Sequence, residues 1–265
     1  MRLTGDGFQL RRSYPRLGVA VLAVLLAAQL TAASASPVVA VTVTGSVWSN
    51  VTAFSGACDG TYDTISSQLY TLAMNGLAYL TYARSGYTGT AFTRAAFLNR
   101  VGGDRAVYVH SHGDYYGGVQ GFREDAGKCT GGLVTDSADV DSKVATPAQV
   151  VVMSTCRLGE SHTQSMSAAF GISQNQQALA FEFYMGYTHH PYSGDMLAFE
   201  QEFWSLVQAG GPNNPIYSLA EAFSISRSHH AFTTPPGDVA PAPAWYGNYY
   251  YTGWADTSPG CTNCE

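Results

Sequence analysis

The charge of this chain argues against a nucleic-acid-binding protein, because its formal net charge is −6 over 265 residues and it contains only two lysines. Binding to phosphate groups or to an anionic membrane surface needs clustered Lys and Arg. Since 46% of the residues are hydrophobic, the chain can bury one sizeable core, and we expect one main folded domain.

Residues 1–35 have the features of a secretory signal peptide. A positively charged start precedes an apolar stretch, residues 17–30, which is short for a membrane span, and small residues at 33–35 offer a cleavage site. Its removal would leave about 230 residues with a net charge near −9. We therefore expect a secreted, extracellular protein without stable membrane association. An uncleaved membrane anchor is the alternative, and Arg11-Arg12 leaves a twin-arginine export route open.

Hydrophobic periodicity predicts strands that alternate with helices along the chain. In chain order we expect a strand at 39–47, helices at 64–83 and 90–98, strands at 105–110 and 149–154, a helix at 165–170, a strand at 178–185, and helices at 193–210 and 216–232. Such alternation predicts an α/β fold with a sheet covered on both faces.

Two other segments have less regular patterns. Residues 123–147 are polar and lack clear periodicity, and the glycines just before them indicate a loop or a short strand. Residues 245–254 are rich in Tyr and Trp, which favours a closing edge strand or a clamp on the body. We therefore expect an α/β domain over 36–232 and a Pro- and aromatic-rich extension, 233–265, packed on it.

The five cysteines all follow the predicted signal peptide. An odd count in a secreted chain leaves at least one thiol unpaired within the monomer. The simplest division pairs Cys58 with Cys129 and Cys261 with Cys264, and it leaves Cys156 free. The Cys-x-x-Cys tail can also be redox-active or half of a metal site, but the chain has no second Cys-x-x-Cys and the tail is rich in Pro and Gly, which favours a structural disulfide.

Two chemically reactive residues directly follow two of the predicted strands. The strand at 105–110 leads into Ser111-His112-Gly113-Asp114, and the strand at 149–154 leads into Thr155-Cys156-Arg157. In an open parallel sheet, groups just past the carboxyl ends of the strands line the ligand crevice. A thiol and an imidazole placed there are candidates for nucleophile and base. Gly113 lets its backbone N–H approach a reacting carbonyl closely.

The His-Gly and Thr-Cys motifs, 44 residues apart, resemble those of the caspase-like cysteine peptidases of clan CD. That clan includes caspases, legumains, gingipains, clostripain and separase, and the order of strands and helices is also similar. The resemblance implies a caspase-like α/β/α sandwich with a mostly parallel sheet. It implies a cysteine endopeptidase with no cofactor, in which a dyad of His112 and Cys156 forms an acyl-enzyme thioester and Gly113 serves the oxyanion hole. Two residues of this chain differ from the sequence pattern of the clan. Thr155 stands where the family often has Ala or Ser, and Ser154 stands where caspases have Gln.

The expected partner is a peptide or protein substrate. Asp114 or Glu160 can place a carboxylate near the site and favour a basic side chain next to the scissile bond. His189 follows the strand predicted at 178–185 and can lie at the edge of the same cleft. The pair His229-His230 is predicted to lie at the carboxyl end of its helix.

Two other functions remain open from the sequence. Residues 110–118 match the zinc motif H-x-H-x-D-x-x-G-G of the metallo-β-lactamase fold, in which His110, His112 and Asp114 would be ligands. Against it, no His lies between His112 and His162, and the region before the motif is predicted to be helical rather than β-rich. The other alternative is a non-catalytic binding module on the caspase-like fold, with the aromatic residues 245–254 stacking on sugars.

Overall fold

A computed structural model describes residues 42–51, 60–127, 132–210 and 214–255, without the side chains of residues 60–63. The predicted signal peptide lies outside this part of the chain, and so do Cys58, Cys129, Cys261 and Cys264. Both predicted disulfides therefore stay predictions. Within the described ranges, no helix is both long and apolar enough to cross a membrane.

Nine strands and six α-helices are present in the described residues. The strands are β1 Thr44–Ser49, β2 Ala83–Thr88, β3 Ala106–His110, β4 Gly113–Tyr116, β5 Val119–Arg123, β6 Val134–Asp136, β7 Val150–Ser154, β8 Phe183–Thr188 and β9 Ala242–Gly247. The helices are α1 Gly60–Tyr79, α2 Arg94–Val101, α3 Ser137–Asp141, α4 Met166–Ala169, α5 Ser193–Val207 and α6 Leu219–His229.

Six of the strands form the central sheet, in the order β2-β1-β3-β7-β8-β9. The first five are parallel to one another, and only β9 runs antiparallel to its neighbour β8. The central strands β3 and β7 are buried along their whole length, as expected of parallel strands covered on both faces. The predicted α/β fold with a mostly parallel sheet is confirmed.

Alternate residues of each strand point to opposite faces of this sheet. Helices cover both faces, so the two sets of side chains lie in two separate cores. Tyr108 and Val152 belong to a hydrophobic core shared with α1, α5 and α6. Val107 and Val151 belong to a second core, which includes side chains of α2, α3 and α4. The sheet therefore has a helical layer on each side, and β3 and β7 lie at its centre.

Several predicted boundaries were wrong, for local reasons. The strand β2 was not predicted because its sequence, ARSGYT, has polar residues and lies at the exposed edge of the sheet. Helix α1 ends at Tyr79 rather than at residue 83, and Thr81 adopts a left-handed backbone with φ 67°. Helix α2 begins at Arg94, after its cap Thr93, rather than at residue 90. Strand β8 begins at Phe183, five residues later than predicted.

A small antiparallel sheet, β4-β5-β6, follows directly after β3. Its first hairpin turns at Gly117-Gly118, where φ is 63° and 88°, values that glycine adopts without strain. The polar region 123–147 contains β6 and α3, which its lack of periodicity did not indicate. At one edge of the central sheet, β9 covers 242–247, so only residues 245–247 of the aromatic segment 245–254 lie in an edge strand. Residues 242–247 of the predicted extension are thus part of the central sheet.

Candidate functional site

The register of β3 and β7 places His112 and Cys156 at matching positions. The two strands are parallel neighbours in which each residue pairs with the one 44 positions later, from Ala106 with Val150 to His110 with Ser154. His112 and Cys156 have the same separation, and each lies two residues beyond the last pair. The two candidate reactive groups therefore leave the same edge of the sheet on adjacent strands.

Gly113 brings the two strand ends into close contact. A Cβ atom added to Gly113 would lie 2.4 Å from the carbonyl oxygen of Cys156 and 2.9 Å from Cβ of Thr155. Because real Cβ atoms do not approach backbone oxygen so closely, only glycine fits here with the present backbone. The His-Gly and Thr-Cys motifs are thus packed directly against each other.

Cys156 is a half-buried free cysteine. Burial is the main reason that the pKa of its thiol is raised to about 12, and the negative charges of Asp114 and Asp238 raise it further. A hydrogen bond to its own backbone and the charge of Arg157 oppose that rise only in part. The thiol is therefore neutral at neutral pH, so a base must remove its proton before or during nucleophilic attack.

Arg157, the residue after the cysteine, holds two of the predicted substrate-binding acids. Its Nη1 lies 3.1 Å from Oδ1 of Asp114, and its Nε lies 3.3 Å from Oε1 of Glu160. Its guanidinium also lies over the ring of Tyr115, 4.4 Å from the ring centre. The structure thus brings Asp114 and Glu160 together beside Cys156, and both are paired with an arginine of the same chain.

His189, the third predicted substrate-binding residue, joins the same cluster from the end of β8. Its backbone N–H donates to Oε1 of Glu160 at 3.0 Å, and its carbonyl accepts from the N–H of Arg157 at 3.0 Å. Arg157 and His189 both adopt left-handed backbone, with φ 64° and 52°. Such conformations are costly for residues with a Cβ and persist only where the surroundings impose them.

Two further residues near the thiol were not predicted from the sequence. Burial is the main reason that the pKa of Tyr116 is raised, and the negative charges of Asp114 and Cys156 raise it further. Asp238 comes from the proline-rich connector before β9, and its Oδ2 lies 2.6 Å from Nδ1 of His190. The Gly-Gly sequence indicated a turn beside Tyr116, but nothing local indicated that the connector returns to the cysteine.

His110 is buried under the site and has little access to solvent. Its Nδ1 lies 3.0 Å from the carbonyl oxygen of Ser154, and its Nε2 lies 3.1 Å from Oγ of Ser66. Burial lowers the pKa of this imidazole to about 3. With both ring nitrogens engaged, His110 is poorly placed to bind zinc with His112 and Asp114. In the described residues, His, Cys, Asp and Glu side chains form no group of three or more suited to a metal ion.

The histidine pair at the end of α6 lies as predicted. His229 is the last residue of the helix and His230 caps it. Both rings contact Glu202 of α5, at 2.7 and 2.9 Å. This pair therefore connects two helices and takes no part in the arrangement around Cys156.

No known family model matches this sequence, and no curated protein is significantly similar to it. Among solved structures, the Arg-specific cysteine proteinase gingipain R is 11% identical over 70% of this chain, with a TM-score of 0.46. This chain spans 41% of the length of that gingipain. The Drosophila initiator caspase Dronc is 11% identical over 80% of this chain and 85% of its own, with a TM-score of 0.45.

Caspase-1 of Spodoptera frugiperda is 7% identical over 78% of this chain and 88% of its own, with a TM-score of 0.44. Gingipains and caspases are among the peptidases that the His-Gly and Thr-Cys motifs resemble.

Proposed function

We propose that this chain is a cysteine endopeptidase-like hydrolase in which Cys156 is the nucleophile and His112 is the base. The observation that carries the proposal is the common register of the two motifs at adjacent strand ends, joined by the contact between Gly113 and Cys156. An arrangement in which a thiol and an imidazole leave the same edge of a parallel sheet suits attack on a carbonyl bound in the crevice above it.

In the proposed reaction, His112 takes the proton from Sγ of Cys156 as the sulfur forms a bond to the substrate carbonyl carbon. The electron pair of the C=O bond moves to the oxygen, next to the backbone of Gly113. The C–N bond then breaks, and the leaving amine takes the proton from the imidazolium. Water next attacks the thioester carbon while His112 accepts its proton, the C–S bond breaks, and the imidazolium returns the proton to Sγ of Cys156 as the acid product leaves.

The raised pKa of the thiol is compatible with this sequence of steps. A thiol that is neutral in the free protein loses its proton to His112 only when the substrate is in place. The mechanism therefore differs from one in which the thiolate is already formed before the substrate binds. It predicts that the free protein reacts slowly with simple alkylating reagents.

We also propose that Asp114, Glu160 and His189 contact the substrate. Oδ1 of Asp114 accepts from the N–H of Tyr115 and from Arg157, while its side chain remains 45% exposed. Its other carboxylate oxygen can therefore accept a hydrogen bond from a basic side chain of the substrate. Glu160 and His189 form the adjacent wall of the cleft through the contact between them.

Export of the chain belongs to the same proposal, because the predicted signal peptide would deliver the domain to an extracellular peptide or protein substrate. Mass spectrometry of the protein recovered from the culture medium of an expressing host tests this point. An amino terminus near residue 36 is expected. Retention of residues 1–35 on the membrane would instead favour the anchor.

The catalytic proposal is tested with the full chain and a fluorogenic peptide library, comparing the wild type with Cys156→Ala and His112→Ala. Each substitution is expected to abolish hydrolysis of any peptide that the wild type cleaves. His229→Ala is the matched control, since that histidine lies at the end of α6 and should leave the rate unchanged. Full hydrolysis by either site variant would overturn the proposal. A wild type that cleaves nothing but binds peptides would favour the binding module.

A further inference from the structure

Gln120 of β5 is fully buried and contacts the turn segment, residues 157–160, that follows the proposed nucleophile. Its Nε2 donates to the carbonyl oxygens of Arg157 and Glu160, at 2.9 Å each. Its Oε1 accepts from the backbone N–H of Met166, the first residue of α4, at 2.8 Å. One amide group thus spans the turn segment, holds both of its ends and joins them to α4.

The two carbonyls in the middle of the turn segment are held by the central sheet. The hydroxyl of Tyr184, on β8, donates to the Leu158 carbonyl at 2.6 Å. The hydroxyl of Tyr246, on β9, donates to the Gly159 carbonyl at 2.9 Å. Side chains of three strands therefore bind all four carbonyls of the turn segment. These bonds fix the path of a segment that belongs to no helix or strand.

Arg157, the first residue of the turn segment, has a conformation that needs this support. Its φ of 64° is left-handed, which is costly for a residue with a Cβ. Its N–H donates to the carbonyl of His189 at 3.0 Å, and its own carbonyl accepts from Gln120. Because Arg157 directly follows Cys156, its conformation sets the direction in which the chain leaves the cysteine. It also places the guanidinium beside Asp114.

The chemistry of the glutamine side chain matches its partners. The carbonyls of Arg157 and Glu160 can only accept, and the N–H of Met166 can only donate. A buried side chain in this position must therefore donate twice and accept once, which the amide group does. The partners also determine the orientation of the amide, because the reversed orientation would place like groups against each other.

We propose that Gln120 is a positioning residue for the proposed reaction, which holds the turn at Arg157 and thereby sets the position of Cys156 in the cleft. This inference rests on the proposed function, because Cys156 is the proposed nucleophile. Gln120 itself contacts neither the thiol nor the substrate in this account. Its effect passes through the backbone of Arg157, which it binds directly.

The test measures how fast dipyridyl disulfide labels Cys156 in the full chain, with mass spectrometry to identify the labelled site. This reagent still reacts with thiols at acid pH. Gln120→Met keeps the length of the side chain but has no N–H donor, so the turn segment can move and the thiol becomes less buried. Because burial is the main cause of the raised pKa of this thiol, labelling at pH 8 should be faster by about threefold or more. Hydrolysis should instead be slower by about tenfold or more, since the nucleophile is misplaced.

Gln120→Glu adds a readout that a merely structural role would not change. When ionised, its carboxylate cannot donate to the carbonyls of Arg157 and Glu160, whereas the protonated form can donate to one of them. Burial raises the pKa of a carboxyl group above its ordinary value of about 4.3. The ratio of labelling rates, variant to wild type, should therefore fall from about three at pH 8 to about one at pH 6. Tyr115, whose hydroxyl lies 3.4 Å from Nε2 of Gln120, stays neutral over this range, because burial raises its pKa.

Gln149→Glu is the matched control, because it is the same substitution at another buried glutamine. Gln149 directly precedes β7, at the opposite end of that strand from Cys156, and its Oε1 accepts from the hydroxyl of Tyr82 at 3.1 Å. The control variant is expected to lose stability but to label at the wild-type rate. If Gln120→Met does not fold, Tyr246→Phe replaces it, since this half-buried side chain holds the same turn segment and its loss should also speed labelling.

The inference is overturned if Gln120→Met, or Tyr246→Phe in its place, labels at the wild-type rate. It is also overturned if the rate ratio for Gln120→Glu is the same at pH 6 and pH 8, or if Gln149→Glu speeds labelling equally.

Its failure is distinguishable from that of the proposed function, because labelling requires no turnover. Faster labelling in the Gln120 variants of a chain that hydrolyses no peptide would support the positioning role and count against the peptidase proposal. Hydrolysis that depends on Cys156 and His112, together with wild-type labelling and hydrolysis in the Gln120 variants, would support the peptidase proposal and remove Gln120 from it.

Discussion

Gly113 and Cys156 are in such close contact that a methyl group on the glycine would lie 2.4 Å from the carbonyl oxygen of the cysteine. The neighbouring atoms include backbone, which cannot turn aside as a flexible side chain can. The relative position of the two motifs thus depends on the absence of one Cβ atom. This dependence leads to a direct prediction about stability.

Gly113→Ala should destabilise the fold by about 1–3 kcal/mol, the usual cost of forcing additional atoms into a packed interior. It should also separate the ends of β3 and β7 and change the reactivity of Cys156. Urea unfolding measures the first effect. Gly103→Ala is the control, because a Cβ there would have its nearest neighbour at 3.8 Å. Equal stability of both variants would mean that the strand ends move apart at little cost.

Removal of the charge of Asp238 should lower the pKa of Cys156, since that carboxylate is one of the groups that raise it. In Asp238→Asn, alkylation at pH 9 is therefore expected to be faster than in the wild type. Glu221→Gln, on α6, should leave the rate unchanged. An unchanged rate in Asp238→Asn would place the connector farther from the thiol in solution than in this structure.

Loss of Arg157 should have the opposite effect on the thiol. Arg157→Gln removes the positive charge that lowers the pKa of Cys156 and leaves Asp114, which raises it, without its ion-pair partner. We expect slower alkylation and a stability loss of at most about 1 kcal/mol, because the pairs are partly exposed. Arg94→Gln breaks the pair with Asp139 and is the control for loss of an ion pair elsewhere. Faster alkylation in Arg157→Gln would contradict the electrostatic account.

Glu200 of α5 is fully buried, and its protonation should make the free energy of unfolding depend on pH. Its folded pKa, about 7, is raised above its ordinary value of 4.5, so its stabilising contribution is complete below pH 4.5 and is lost as the pH rises through 7. Glu200→Gln does not have this loss. The unfolding free energy of the variant relative to the wild type should therefore increase from pH 5 to pH 8 in urea titrations. A constant difference would mean that Glu200 does not change its protonation on unfolding.

Much of the central sheet could be predicted because its inner strands have to be apolar on both faces. The runs at 105–110 and 149–154 were placed within one residue of β3 and β7. The strand β2 was missed because an edge strand buries little surface and so needs no apolar pattern. The start of β8 was misplaced because Leu179 belongs to an apolar run but is 93% exposed.

Glu200 had a signal in the sequence that was overlooked. It lies in the predicted helix 193–210 with the spacing of the buried residues Met196, Phe203 and Val207, so it is on the apolar stripe of α5. A glutamate in that position must find hydrogen-bond partners in the core. The helical pattern could thus have identified Glu200 as a buried acid, but not that β3 and β8 supply its hydrogen-bond donors, Tyr108 and Tyr187.

The sequence by itself determined that a histidine and a cysteine follow two buried strands, because burial on both faces leaves a long apolar run whose end is easy to recognise. It could not determine which charged residues surround the thiol. The two carboxylates that raise its pKa, Asp114 and Asp238, come from different segments, 124 residues apart in the chain. Electrostatic interactions depend on distance in space, so the environment that keeps this thiol neutral was decided only by the tertiary structure.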